Sequence, residues 1–351
     1  SFGVSGSNYK IYWEDVNNPL THDTLTVPFS SFVSRFYLTV PAGTTKVRIK
    51  AYKGRGSLNS LRNMYIDDPE RLIAVEQWGS AVWTSMEGAF RECINMDVTA
   101  TDRPNLTACT SLGVMFYKCT SLVNANGSIS SWNTENITTM LGMFSGATSF
   151  NQPLNWNTEN VTDMAEMFEG ATSFNQPLNF NTQNVTYMSY MFQGATSFNQ
   201  PLTSFDTKNV TDMGSMFSRA TSFNQPLTNF NTEKVTNMSY MFSEATSFDQ
   251  PLTNFDTKNV TDMSYMFYGA TSFNKPLAWN TQKVTTMYEM FSGATSFNST
   301  LNFNTQNVTN MSYMFLVATS FNQPLTNWNT EKVTNMSTMF SRATSFNQPL
   351  T

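Results

Sequence analysis

Histidine is nearly missing from this chain: among 351 residues only His22 is one, and cysteine occurs three times. A lone histidine beside Asp23, in a stretch that reads as a loop, supplies neither a histidine-based triad nor a multi-histidine metal site. Charge is scarce as well. Only 13% of residues are charged and the net charge is −5, so nothing forms the basic stripe that nucleic acid or an anionic membrane surface requires. No apolar run approaches the ~18 residues of a membrane span, and the first residues do not read as a signal sequence. No glycine-rich phosphate loop occurs, and the carboxylates are spread along the chain instead of paired as glycoside hydrolysis needs. The expectation is therefore no catalytic residue, no cofactor, no metal, no nucleic-acid partner and no membrane insertion. The chain opens on Ser1 without an initiator Met, which reads as a processed chain or an excised fragment.

What is present in excess is Met (22) and Phe (29), together with repetition. The octapeptide ATSFNQPL stands at 147–154, 171–178 and 195–202. Catalysis needs different residues converging on one point, whereas a stacked array needs the same residues at every level. Aligned on the dipeptide Met-Phe, the chain gives Phe116, Phe144, Phe168, Phe192, Phe217, Phe242, Phe267, Phe291, Phe315 and Phe340, with Phe90 after Ala89 as a degenerate first copy. Most spacings are 24 or 25 residues. That is too short for a propeller blade of ~40 and fits one coil of a leucine-rich-repeat-like solenoid.

Within a coil, 161–171 places Met164, Met167, Phe168 and Ala171 at i, i+3, i+4 and i+7, one face of a short helix. Thr162 is positioned to cap that helix, and Asp163, Asp212 and Asp262 to suit its positive end. Leu154 and Trp156, two apart, read as one face of a short extended segment. In 25-residue coils one more residue separates this pair, as in Leu202 to Phe205, which predicts a bulge or local turn. Ten Met fill each of the two helical Met slots, so methionine is core filling. Cys93 and Cys119 fall in the Ala slot and Cys109 in the Val slot, as small buried hydrophobes without a disulfide.

The fold class expected is an α/β repeat solenoid, leucine-rich-repeat-like, with one short strand and one short helix per coil and about eleven coils over 77–351, truncated in mid-coil at the C-terminus. A small all-β sandwich-like domain over 1–53 precedes it, since 8–16, 23–29, 35–41 and 45–52 alternate apolar and polar residues between Pro, Gly and Asn. Residues 54–76 are the connector.

The whole-coil pattern resembles the BspA-like leucine-rich-repeat surface proteins and their 26-residue bacterial repeat, over about 72–351. The N-terminal segment resembles PKD-type immunoglobulin-like modules, with Glu14 and Asp15 where those have Gly-Asp. The resemblance implies a leucine-rich-repeat fold and a cell-surface or secreted location, and the members with a known role are adhesins.

Three polar sets remain. Asn133, Asn157, Asn181, Asp206, Asn231, Asp256, Asn280, Asn304 and Asn329 follow the aromatic of each coil and are expected to form an internal polar ladder; a calcium array is disfavoured because most are neutral. Asn136, Asn160, Asn184, Asn209, Asn259 and Asn307 make N-x-T sequons and Asn237, Asn310 and Asn335 N-x-S ones, glycan acceptors in a eukaryotic or viral setting. Tyr187, Tyr190, Tyr240, Tyr265, Tyr268, Tyr288 and Tyr313 vary from coil to coil on the outward face. They either pack laterally between helices or form an amphipathic strip that grips a protein or glycan.

The expected function is thus a non-enzymatic, surface-displayed or secreted adhesion protein, extracellular or on a virion. The alternative is a spacer, fibre or filament subunit, phage or viral fibres included, self-associating end to end through an uncapped C-terminal coil. Ice binding by Thr and Asn rows is disfavoured, because mixing 24- and 25-residue coils spoils a lattice match.

Overall fold

The computed structural model describes residues 2–6, 9–15, 17–18, 20–27, 35–36, 47–53, 61–66 and 69–349. Six strands occupy the N-terminal part: β1 (Phe2–Gly6), β2 (Tyr9–Asp15), β3 (His22–Val27), β4 (Arg35–Phe36), β5 (Val47–Lys53) and β6 (Leu61–Ile66). β2 is the centre of a three-stranded antiparallel sheet, order β3-β2-β5. β1 lies between β4 and β6 in a second sheet. The alternating stretches read from the sequence thus supply four of these strands, while 28–34 and 37–46 lie outside the described residues. Two further findings differ from the reading. His22 opens β3 instead of lying in a loop, and the connector carries β6, which pairs antiparallel with β1 and parallel with β7 (Trp83–Ser85) of the first coil. The second sheet is therefore hydrogen-bonded directly onto the repeats.

From residue 69 onward each coil sits on the next in parallel register. A column of parallel bridges joins Ser111, Thr139, Asp163, Tyr187, Asp212, Asn237, Asp262, Thr286, Asn310 and Asn335 in turn, and Leu154 bridges Leu178 as Leu277 bridges Leu301. Inside, the Met-Phe phenylalanines form an unbroken column, with ring centroids 5.7 Å apart at Phe192–Phe217, Phe217–Phe242 and Phe242–Phe267. A second column runs through Phe198, Phe223 and Phe248 at 6.0 Å, and each ring of it lies 4.1 Å from its neighbour in the first, as at Phe242–Phe248. Met238, Met241, Phe242 and Ala245 are all fully buried, as are Cys93, Cys109 and Cys119, which are free thiols. Burial pushes the Cys93 thiol up to about 12 and raises the other two, so all three are unreactive core residues.

The burial pattern follows the slots, but the segment that carries it is not helical. It is a run of tight turns. Alternate amides close i→i+3 bonds within the coil, from Met241 to the Met238 carbonyl (3.3 Å), Ser243 to Tyr240 (3.0 Å) and Ala245 to Phe242 (3.1 Å). The amides between them donate to the following coil, Tyr240 to Ser264 and Phe242 to Met266, both 2.9 Å. Two residues per coil adopt the left-handed region, such as Tyr240 (φ 57°) and Glu244 (φ 56°), which ends any run of right-handed helix. Spacing gives the reason. Coils stacked through parallel bridges sit at strand-to-strand distance, ~4.8 Å, whereas packed helices need ~8–10 Å. Inward positions three and four apart satisfy either geometry, so the 3.6 period did not distinguish them.

Thr162 accordingly caps no helix. Its hydroxyl donates to the Thr138 carbonyl (3.2 Å) of the preceding coil, and Thr186 repeats this onto Thr162. Local capping belongs to the next residue: the Asp163, Asp212 and Asp262 carboxylates each accept the amide two residues on at 2.8–3.0 Å. In 25-residue coils the extra residue closes a turn, Phe205 to Leu202 and Phe230 to Leu227, both 3.1 Å.

Candidate recognition surface

Polar columns tie the coils together and decide which residues are left to face a ligand. The Asx set after the aromatic does not itself span coils. Each side chain folds back on its own turn, as Asn157 accepts the Glu159 amide (3.0 Å) and Asn231 the Glu233 amide (2.9 Å). The inter-coil ladder comes from the following threonine: buried Thr182, Thr207 and Thr232 donate to the carbonyls of Asp206, Asn231 and Asp256, each at 2.9 Å. A second ladder passes through the Asn of FNQP, where Asn175 accepts both the Asn199 amide (2.9 Å) and the Gln200 side chain (3.1 Å). The repetition of FNQ was its only signal in the sequence.

The sequon asparagines are also engaged. Asn160, Asn184, Asn209, Asn259 and Asn307 donate their amides to carbonyls of the preceding coil at 2.7–2.8 Å, and Asn136 does so to Thr107 at 3.0 Å. Where lysine takes this position, Lys234, Lys283 and Lys332 donate to Asn209, Asn259 and Asn307, each at 2.7 Å. This edge is a lysine-and-amide rim, and an open groove of about 700 Å³ runs along it.

The turn segment carries the tyrosines. The residue two before each Met-Phe phenylalanine is left-handed in all eleven coils: Gly88 and Gly142 hold it early on, and Tyr190, Tyr240, Tyr265 and Tyr313 hold it later, with φ between 57° and 60°. A side chain in that region carries a penalty of ~1–2 kcal/mol that glycine escapes. Tyrosine is therefore placed where the backbone favours its absence.

Of the seven sequence-predicted tyrosines, the structure brings five together. Tyr240 stacks on Tyr265 (4.3 Å, 15°), Tyr265 meets Tyr268 (5.8 Å, 69°) and Tyr288 (5.0 Å, 76°) edge-on, and Tyr288 meets Tyr313 (5.9 Å, 79°) edge-on. Tyr187 and Tyr190, 52% and 42% exposed, belong to the Phe192 coil. The Phe217 coil, with Asp212 and Ser215 in the matching positions, separates them from the five. Burial against its neighbours, Tyr265 first among them, pushes the Tyr240 phenol up to about 12, and burial raises Tyr265 too. Both are neutral at physiological pH.

Around the strip stand Glu244, Asp262 and Glu289; Asp262 and Glu289 act electrostatically on Tyr240. Arg219 at its border is paired with Glu244 (3.3 Å). Among the described residues no group of three His, Cys, Asp or Glu is arranged to hold a metal, and no helix is long and apolar enough to cross a membrane.

The comparisons with known proteins bear on the repeats alone. The family model described as Mycoplasma protein of unknown function, DUF285, matches three times in tandem, over residues 84–179, 178–278 and 276–351. No curated protein and no solved structure matches the chain.

Proposed function

This chain belongs to the DUF285 family of tandem-repeat proteins, and from that premise we propose that it is a non-enzymatic recognition protein, displayed on a surface or secreted, whose tyrosine strip grips a protein or glycan. The stack of coils is read as a BspA-like, leucine-rich-repeat-type solenoid with turns in place of helices, behind a β-rich N-terminal module. Solenoids recognise along an extended face because each repeat adds contact area without altering the fold.

One observation carries the reading. Tyr240, Tyr265 and Tyr313 occupy left-handed positions that two of the early coils fill with glycine, Gly88 and Gly142, and together with Tyr268 and Tyr288 they form a continuous aromatic surface over four coils. Residues held against backbone preference point to function, and tyrosine supplies large, rigid, amphipathic contact at low entropic cost. The test is a glycan and host-protein array probed with the parent chain and with Tyr265→Gly. Retention of a ligand by the parent and its loss in the variant is expected. An array on which the parent retains nothing above background would sink the proposal.

A further inference from the structure

The rings of the strip and the carboxylates beside it select a sign of charge. Across the four coils that carry it, the turn segments read NMSYMFSE (237–244), DMSYMFYG (262–269), TMYEMFSG (286–293) and NMSYMFLV (310–317). They hold three carboxylates and no Lys or Arg. The adjoining coils carry one base at each end of the strip, Arg219, paired with Glu244, and Arg342. Lysines of the same coils, Lys234, Lys258 and Lys283, stand instead on the NT-x-x corner with its groove. That corner also holds Glu233 and Asp256, both paired with Lys258, so its charges are mixed while those of the tyrosine turn segments are acidic only.

Ring geometry adds to this. Edge-on pairs at Tyr265–Tyr268, Tyr265–Tyr288 and Tyr288–Tyr313 turn successive faces in different directions, so several π-faces border the same space. The floor beside Tyr268 is bare backbone, because Gly269 and Gly293 occupy the outer left-handed position there and stack on each other, a Cβ on Gly293 coming 3.5 Å from the Gly269 Cα. Glu289 stands within the tyrosine column itself, at the position that Tyr265 and Tyr313 hold in the adjoining coils. Two coils away from the strip, the Gln193 amide oxygen is buried without a donor. Aromatic faces converging beside a carboxylate, with no base in the same turn segments, attract a cation through the ring quadrupole.

We propose that the tyrosine strip docks an arginine-rich segment of a partner protein, guanidinium groups lying over Tyr265, Tyr268 and Tyr288 and pairing with Glu289 and Asp262. Arginine fits better than lysine, since its planar group stacks on aromatic rings and still presents N–H donors to a carboxylate in the ring plane. This rests on the recognition reading of the same strip and adds the chemistry of the partner. Anionic partners are disfavoured on this face by the same three carboxylates.

The experiment is surface-plasmon binding of a synthetic arginine-rich peptide, and of its counterpart with glutamate for every arginine, to the full chain and to Tyr265→Gly, Glu289→Gln and Lys283→Gln. The arginine peptide should bind and the glutamate peptide should not. Tyr265→Gly and Glu289→Gln should each weaken binding by about tenfold, as expected of a cation–π contact or an ion pair worth ~1.4 kcal/mol, while Lys283→Gln on the far edge leaves it unchanged. Absence of preference for the arginine peptide overturns the inference, and so does binding that survives both strip substitutions, which marks non-specific attraction to an acidic chain. On the same chip, a neutral glycan that binds the parent but not Tyr265→Gly keeps the recognition face and discards only the cation. If Tyr265→Gly retains every ligand the parent binds, the recognition face itself falls.

Discussion

Two columns of aromatic rings run along this molecule, and they differ in every respect but their direction. The phenylalanine column is the same in each coil, fully buried from Phe116 to Phe315, and near parallel at 5.7 Å from Phe192 through Phe217 and Phe242 to Phe267. The tyrosine column is interrupted, partly exposed, stacked at one step and edge-on at the next, and set on left-handed backbone at Tyr240, Tyr265 and Tyr313. Invariance along the inner column reports what stacking requires of every coil. Variation along the outer one, at a position where glycine is easier, shows that stacking does not demand tyrosine there.

The comparison is broken most severely from inside. Phe242→Ala should destabilise by ~3–5 kcal/mol, as for a buried aromatic, because it removes a ring that touches Phe217, Phe248 and Phe267. Coils in such an array contact only their neighbours, so native-state hydrogen exchange should lose protection around Phe242 while the Phe116 coil stays protected. Uniform loss would show that the stack behaves as one cooperative unit.

A smaller effect is expected from the polar ladder that the core column presses against. Thr232→Val keeps the shape but deletes the bond to the Asp256 carbonyl (2.9 Å), leaving a carbonyl short of a donor at ~1–3 kcal/mol. Urea unfolding measures it. A cost near zero would make the threonine row a by-product of composition and not a tie between coils.

How much of this was legible beforehand depends on what repetition can encode. Slot identity survives directly in the letters: Met238, Met241, Phe242 and Ala245 are the inward residues the spacing named, and the added residue before Phe205 does close a turn. Conformation survives less well, because apolar residues three and four apart serve a helix and a chain of turns alike. The glycines at Gly142 and Gly146, four apart in mid-segment, were the available clue, since a helix interior rarely places two there. The polar ladder was assigned one residue early. An Asn after the aromatic suits a turn, and only the stacking direction shows that Thr182 and Thr232 reach the next coil while Asn181 and Asn231 do not. Of the tyrosines read as outward, Tyr187, Tyr190 and Tyr240 are exposed and the other four half-buried, and their grouping into Tyr240, Tyr265, Tyr268, Tyr288 and Tyr313, apart from Tyr187 and Tyr190, needed coordinates.

The tyrosine side of the comparison responds to pH. With its phenol raised from 10 to about 12 by burial and by Tyr265, Tyr240 holds its proton more tightly folded than unfolded. Between those values the unfolded chain has lost a proton that the folded chain keeps, so stability is full below pH 10 and falls as pH climbs toward 12. Ultraviolet titration of tyrosinate should show a late-ionising class, Tyr240 and Tyr265 among its members, that loses amplitude in Tyr240→Phe. An undiminished late class would place the shifted phenols elsewhere.

The most direct test of the central claim, that the inner column holds the fold and the outer one is retained for recognition, is the urea midpoint of Tyr265→Gly beside that of the parent. Glycine relieves the left-handed backbone at φ 59° while giving up one stacked and two edge-on ring contacts, so the midpoint should stay level or rise, within ~1 kcal/mol of the parent. A fall comparable to that of Phe242→Ala would contradict the account, because it would make the tyrosine column part of the core.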